Sequence, residues 1–105
     1  MSAYVIMMTT VASDESAERI ATALVSEKLA ACVQRLDIRS TYLWKGELQR
    51  EPEILLLIKT RADRQAEVEA RICTLHEYEV PEVISAPITF GGAAYLKWID
   101  DCMNV

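Results

Sequence analysis

Histidine is almost missing from this chain, with one residue, His76, among 105. Protein metal sites draw on several side chains, so a site built on this imidazole must recruit carboxylate, thioether or thiol partners. Cysteine is scarce as well. Cys32, Cys73 and Cys102 have no CxxC spacing and an odd count, which argues against a cysteine zinc cluster or a disulfide framework and fits reduced thiols in a cytoplasmic compartment. Glycine and proline number three each, and no linker, low-complexity run or internal repeat interrupts the chain, so residues 1–105 are expected to form a single domain. The longest unbroken aliphatic run, Ile54 to Ile58, falls far short of the ~20 apolar residues of a membrane helix. The first basic residue, Arg19, lies well past the apolar start at Tyr4–Met8, so that start reads as a strand rather than a secretory leader, and no membrane partner is expected. An excess of positive charge is also lacking. The 11 Lys and Arg against 16 Asp and Glu give a net charge of −5, the wrong sign for a surface that neutralises phosphates, so nucleic acid is not an expected partner. No phosphate-binding glycine loop, zincin helix motif or histidine close in sequence to a Ser or Cys nucleophile is present, and the chain is expected not to be an enzyme.

What is present is enough to fold. Hydrophobic residues make up 51% and charged residues 26%, far from the balance of disordered chains. Tyr4 to Met8, extended by Thr9 and Thr10, has the composition of a strand. Ser13 is placed to cap a helix with Asp14, Glu15 and Glu18 near its positive end and Lys28 in its last turn. The buried stripe of that helix is expected to be Ala17, Ile20, Ala21, Leu24 and Val25. From Cys32 to Trp44 the pattern alternates, with Leu36, Ile38, Tyr42 and Trp44 on one face and Arg35, Asp37, Arg39 and Thr41 on the other. Lys45-Gly46 supplies a turn, Glu47 to Gln49 begins a return strand that Pro52 interrupts, and the strand continues through Ile54–Thr60. A second helix is expected over Asp63–His76, with Ala66, Val68, Ile72, Cys73 and Leu75 at near-helical spacing, and Pro81 forbids its continuation. Val83–Phe90 reads as a last strand, placed at an edge by Pro87. Gly91-Gly92 leads into a terminal helix bearing Tyr95, Leu96, Trp98, Ile99 and Met103.

This order is α+β, a ferredoxin-like βαββαβ antiparallel sheet with two backing helices and a short C-terminal helix. The most apolar runs fall on its central strands, one and three. Those strands are apolar on both faces, although helices cover only one. Other subunits are therefore expected on the second face, through sheet packing and edge pairing.

The run His76-Glu77-Tyr78-Glu79-Val80-Pro81-Glu82 sets the lone imidazole beside three carboxylates and a phenol, groups able to hold a divalent cation. Together with Lys28-Leu29-Ala30-Ala31-Cys32-Val33, Tyr42-Leu43-Trp44-Lys45-Gly46-Glu47, Leu57-Ile58-Lys59-Thr60 and Tyr95-Leu96-Lys97-Trp98-Ile99, it closely resembles the CutA divalent-cation tolerance family nearly end to end. The resemblance implies a compact cytoplasmic homotrimer, similar in architecture to PII-type signalling trimers, with a part in tolerance of copper or another divalent metal. Some bacterial members carry a cysteine ending strand one and two adjacent histidines before the proline motif; this chain has Met8 and Leu75 at the first cysteine and first histidine positions. As a ligand His76 would combine with Glu79 or Glu82, or with carboxylates of a neighbouring subunit, and the Met8 thioether can serve Cu(I). Against it stand structural roles: His76 closing the second helix or bonding across a subunit contact, Met8 in the core, and Glu77, Glu79 and Glu82 as a solvated loop. Cys32 is a soft ligand, a reactive thiol or a small buried hydrophobe. Trp44 and Tyr78 are subunit-packing anchors or, with Cys32 and Lys59, the lining of an intersubunit cleft. That cleft belongs to the alternative function, a PII-like regulatory or scaffold trimer that binds a small ligand without catalysis.

Overall fold

The computed structural model describes residues 2–104. Along the chain run β1 (Tyr4–Val11), α1 (Asp14–Ser26), β2 (Cys32–Trp44), β3 (Glu47–Arg61), a 3-10 turn (Ala62–Arg64), α2 (Gln65–Leu75), β4 (Ile84–Pro87) and α3 (Ala93–Cys102). The strands form one antiparallel sheet in the order β2-β3-β1-β4. The α+β layout expected from the hydrophobic pattern is present, with β1 and β3 central and β2 and β4 at the edges.

Local chemistry explains where the elements start and stop. The Ser13 hydroxyl accepts from the Ser16 N–H at 3.1 Å, satisfying one of the free donors that open α1. The helix ends at Ser26, before Lys28, which adopts φ 60. Lys28 is thus the left-handed reversal after the helix, not part of its last turn, and Leu29 and Ala30 N–H groups both close onto the Leu24 carbonyl. Ala17, Ile20 and Leu24 are buried as expected, but Val25 is 44% exposed because it lies about 100° round the helix from Leu24. On α2 the buried residues are Val68 and Ile72, whereas Ala66 and Cys73 face solvent. Pro52 does not interrupt β3. It pairs opposite Arg39 in unbroken register, beyond the point at Ile54 where β1 stops pairing with β3, and a strand with one free edge tolerates a missing N–H. The last strand is shorter than expected, spanning Ile84–Pro87 rather than 83–90.

The main core lies between the sheet and α1 and α2, where Val5, Met7, Val11, Ile54, Leu56 and Ile58 meet Ala17, Ile20, Leu24, Val68 and Ile72. Within the same side of β1, the fully buried Thr9 Oγ1 has no hydrogen-bond partner among the described residues. A buried hydroxyl left unpaired carries its desolvation cost with no return. Thr9→Val is therefore expected to stabilise the fold by about 1 kcal/mol, read as a higher urea midpoint at unchanged slope; a lower midpoint would mean that the hydroxyl has a partner.

The second face is treated differently. Ile6, Met8, Leu55 and Leu57 are only half-buried, and Leu36 and Ile84 are 50% and 52% exposed. Only one end is closed, where Ile99 and Met103 of α3 pack on Ala31 with Tyr4 and Leu96 beside them. There the Tyr4 hydroxyl donates to Asp100 at 2.8 Å, and Arg61 bridges Asp100 at 2.5 Å and Asp63 at 3.1 Å. The Tyr4 hydroxyl and the Arg61 guanidinium hold the Asp100 carboxyl below the usual carboxylate range. At the other end, seven residue pairs from Ile38–Glu53 to Trp44–Glu47 continue as a two-stranded arm with no third strand beside it. The Lys45 φ of 53 and Gly46 φ of 82 make its tip a two-residue turn of the twist that hairpins favour. A bare two-stranded ribbon is marginal in water, so this arm needs something to lie against.

Candidate cation groove

Where the arm leaves the sheet, its second face and the segment after α2 enclose a groove of about 810 Å³. The strand register supplies its walls. Ser40, Tyr42 and Trp44 of β2 lie opposite Glu51, Gln49 and Glu47 of β3 respectively, and period-two geometry puts all of these on one face together with Glu53. The loop from Glu77 to Val80, with Glu82, closes the other side, and Thr10 of β1 is also part of the lining. Among the described residues the lining carries five carboxylates, on Glu51, Glu53, Glu77, Glu79 and Glu82, and no Lys, Arg or His.

Two tyrosines hold two of those carboxylates in place. The Tyr78 hydroxyl donates to Glu53 Oε2 and the Tyr42 hydroxyl to Glu51 Oε1, both at 2.6 Å. Burial, and then the bond to Glu53, pushes the Tyr78 phenol well above its ordinary range. The bond to Glu51 pushes Tyr42 up to about 12. Both phenols therefore keep their protons at neutral pH and act as donors. Glu77 stands apart at the rim. It accepts from the Ser16 hydroxyl at 2.5 Å and from Arg19 at 3.2 Å, and these bonds lower its pKa. The tie between the loop and the start of α1 is accordingly present at neutral pH and lost only as acid protonates Glu77 below the usual carboxylate range.

His76 sits at the end of α2, where its extended backbone (φ −77, ψ 144) stops the helix after its N–H has closed onto the Ile72 carbonyl. Its ring is fully occupied within the chain. The Tyr78 N–H donates to Nδ1 at 3.0 Å, which assigns the proton to Nε2, and Nε2–H donates to the Thr10 carbonyl at 2.8 Å. The ring also stacks at a tilt on Tyr78, with centroids 4.8 Å apart. His76 thus fastens the loop to β1 and positions the Tyr78–Glu53 pair. To ligate a metal through Nε2 it must release Thr10.

The other anticipated residues divide between two places. Glu79, Glu82, Trp44 and Tyr78 line the groove. Met8 is half-buried on β1 two residues before Thr10, paired with Leu57 and Ile84. Cys32 and Lys59 face each other across the β2–β3 ladder at the far end of the sheet. Lys59 Nζ donates to the Tyr95 hydroxyl at 3.2 Å and lies 5.4 Å from that ring's centroid. Trp44 is removed from Cys32 by the length of β2, roughly 40 Å at the usual rise per residue, so Cys32, Lys59, Trp44 and Tyr78 do not form one cleft within a chain. Among the described residues, no three His, Cys, Asp or Glu side chains converge on a metal-sized point, and no helix is long and apolar enough to cross a membrane. Thr10, Tyr42, Glu51 and Glu53 were not among the anticipated site residues. Their signal is the alternation Glu47, Gln49, Glu51, Glu53, which puts acidic and polar groups on one face of the arm and leaves Leu48 and Arg50 to the other.

Known proteins agree with this architecture. The chain is 47% identical to the protein CutA homolog of Xenopus laevis over 90 residues, covering 85% of this chain and 60% of the frog protein. It is 42% identical over 95 residues to the divalent-cation tolerance protein CutA of Thermus thermophilus, covering 90% of this chain and 92% of that one. The crystal structure of CutA from Xylella fastidiosa superposes with a TM-score of 0.94 at 40% identity, covering 97% of this chain and 99% of that chain. The family model described as CutA1 divalent ion tolerance protein matches residues 5–102, and with these likenesses over nearly the whole length the chain belongs to the CutA1 divalent ion tolerance family.

Proposed function

We propose that the chain works as a homotrimer in tolerance of, or response to, divalent metal ions, copper foremost, and that it captures the cation at sites between subunits. The observation that carries this reading is the one-signed groove: five carboxylates and no cationic side chain in its lining. Carboxylates suit divalent cations as hard oxygen ligands, and a groove of one sign concentrates counter-ions. Because no three donors converge within one chain among the described residues, a closed coordination shell requires a second chain. In this reading Glu79 and Glu82 supply oxygen, Met8 offers a thioether for reduced copper, and His76 joins once it lets go of Thr10. The half-covered apolar face of the sheet supports assembly. Three free thiols, on Cys32, Cys73 and Cys102, support a cytoplasmic setting. No catalytic step belongs to this proposal.

Native mass spectrometry with and without copper tests both halves. The expected result is a trimer mass that retains copper, with the Glu79→Gln, Glu82→Gln double variant binding it at least tenfold more weakly, an effect on the order of one charge-assisted ligand contact. A monomer mass overturns the assembly; a trimer that takes up no copper overturns the metal assignment.

A further inference from the structure

The terminal helix α3 stands apart from the main core. Helices α1 and α2 pack into the cluster beneath the sheet, whereas α3 rests on a small one made of Ala31, Ile99 and Met103, with Tyr4, Leu96 and Cys102 at its border. Among the described residues the two clusters have no member in common. Within α3 itself Ile99 alone is buried. A helix seated on so few apolar contacts opens at lower cost than the core it leaves behind.

Polar contacts supply the rest of its hold. Asp100 accepts from the Tyr4 hydroxyl of β1 through Oδ2 and from Arg61 of β3 through Oδ1, so one side chain of α3 is clasped to both central strands. Near the start of the helix, the Tyr95 hydroxyl accepts from Lys59. The chain leading in is fixed as far as Ile88, whose N–H donates to the Tyr4 carbonyl at 2.9 Å, and then passes through Gly91-Gly92. Gly92 opens α3 without a side-chain cap, and a Cβ there would meet nothing within 4 Å. Two residues without side chains make a joint on which α3 swings while β4 stays paired.

Two of the three thiols lie at this helix. Cys102 packs against the small cluster from α3. Cys32 pairs opposite Lys59, the residue that reaches Tyr95, and directly follows Ala31, on which Ile99 and Met103 pack. Both are half-buried, whereas Cys73 on α2 is exposed.

We propose that α3 is a hinged cap, clasped by Asp100, whose opening exposes Cys32 and Cys102 to electrophiles and soft cations while the main core stays folded. The cap divides the thiols into two classes. Cys73 reacts at any time, and Cys32 and Cys102 react in the open form. The device lies at the opposite end of the sheet from the acidic groove and does not depend on it.

Timed alkylation of the full-length, metal-free protein with N-ethylmaleimide, read cysteine by cysteine by mass mapping after digestion, tests it. In the unaltered protein Cys32 and Cys102 are expected to react roughly tenfold more slowly than Cys73, since thiol reactivity follows exposure. Asp100→Ala removes both bonds of the clasp and is expected to speed Cys32 and Cys102 about tenfold, the scale of a charge-assisted contact, with Cys73 unchanged. Tyr4→Phe removes one bond and keeps the ring, so it is expected to speed them about threefold, and it carries the test if Asp100→Ala fails to fold. Hydrogen exchange gives a second readout: the amides of α3 are expected to exchange together, ahead of those of β1 and β3. If Cys32 and Cys102 react as fast as Cys73 in the unaltered protein, nothing covers them and the proposal is overturned. Labelling that neither variant accelerates overturns it as well. So does exchange of α3 only in step with the central strands, which would mean that helix and core open as one unit.

Discussion

His76→Ala is expected to destabilise the metal-free protein by about 3 kcal/mol, because two backbone groups lose their partner at roughly 1–3 kcal/mol each. The Thr10 carbonyl loses the Nε2 proton and the Tyr78 N–H loses Nδ1 as acceptor. The damage extends further, since Tyr78 then drifts from Glu53, a carboxylate only 7% exposed. Urea unfolding in the presence of a chelator, at one protein concentration so that assembly does not shift the midpoint, measures the loss. Two conservative variants divide it. The amide of His76→Gln reaches toward Thr10 and the carbonyl of His76→Asn toward Tyr78, so each is expected to recover part of the stability. A residue that served only as a metal ligand gives the opposite pattern: no change without metal, and equal loss of metal affinity in all three variants. A destabilisation below about 0.5 kcal/mol, the range of ordinary surface substitutions, would falsify the fastening role.

The fold was legible because its signals are local and periodic. Ser13 caps α1, Lys45-Gly46 turns the hairpin, and continuous apolar runs mark the two central strands. Each of these depends on a few neighbouring residues and survives in one dimension. Where expectation and structure part, the deciding contact lies outside the segment. Val25 and Cys73 have plausible helical spacing, but only the position of the sheet fixes which arc of each helix is buried. Pro52 reads as a break until the register shows that β1 has already stopped pairing there. The groove was harder still. His76, Tyr78, Glu79 and Glu82 were conspicuous in one short run, yet the residues that complete the lining, Thr10, Tyr42, Glu51 and Glu53, come from three strands. In sequence, Glu51 and Glu53 are interleaved with Arg50 and look like a solvated mixed-charge stretch. Pleating separates them, sending the carboxylates to the aromatic face and Arg50 to the other, which is why a charge count along the chain hides a groove of a single sign.

If the proposed homotrimer forms through the second face of the sheet, Leu57→Glu is expected to convert it to monomers, or to unfold it, because a carboxylate placed at an interface without a partner costs several kcal/mol. Leu57 is half-buried on the second face of β3, with Met8 of β1 and Gln34 of β2 as its cross-strand neighbours. In an isolated chain this position borders water, and a glutamate there is tolerated at about 1 kcal/mol, the usual cost of a point substitution. The size of the effect therefore reports what covers the sheet. Val25→Glu provides the matched control: Val25 is 44% exposed on α1, about 100° round the helix from the buried Leu24, and its substitution is expected to leave both mass and stability within error. Light scattering coupled to size exclusion, with thermal melts at two protein concentrations, separates the cases, since only an oligomer has a midpoint that depends on concentration. If Leu57→Glu matched Val25→Glu in both measurements, the apolar face would have no partner in solution. The bare arm would then lack anything to lie against, and a coordination shell completed by a second chain would have to be abandoned with it.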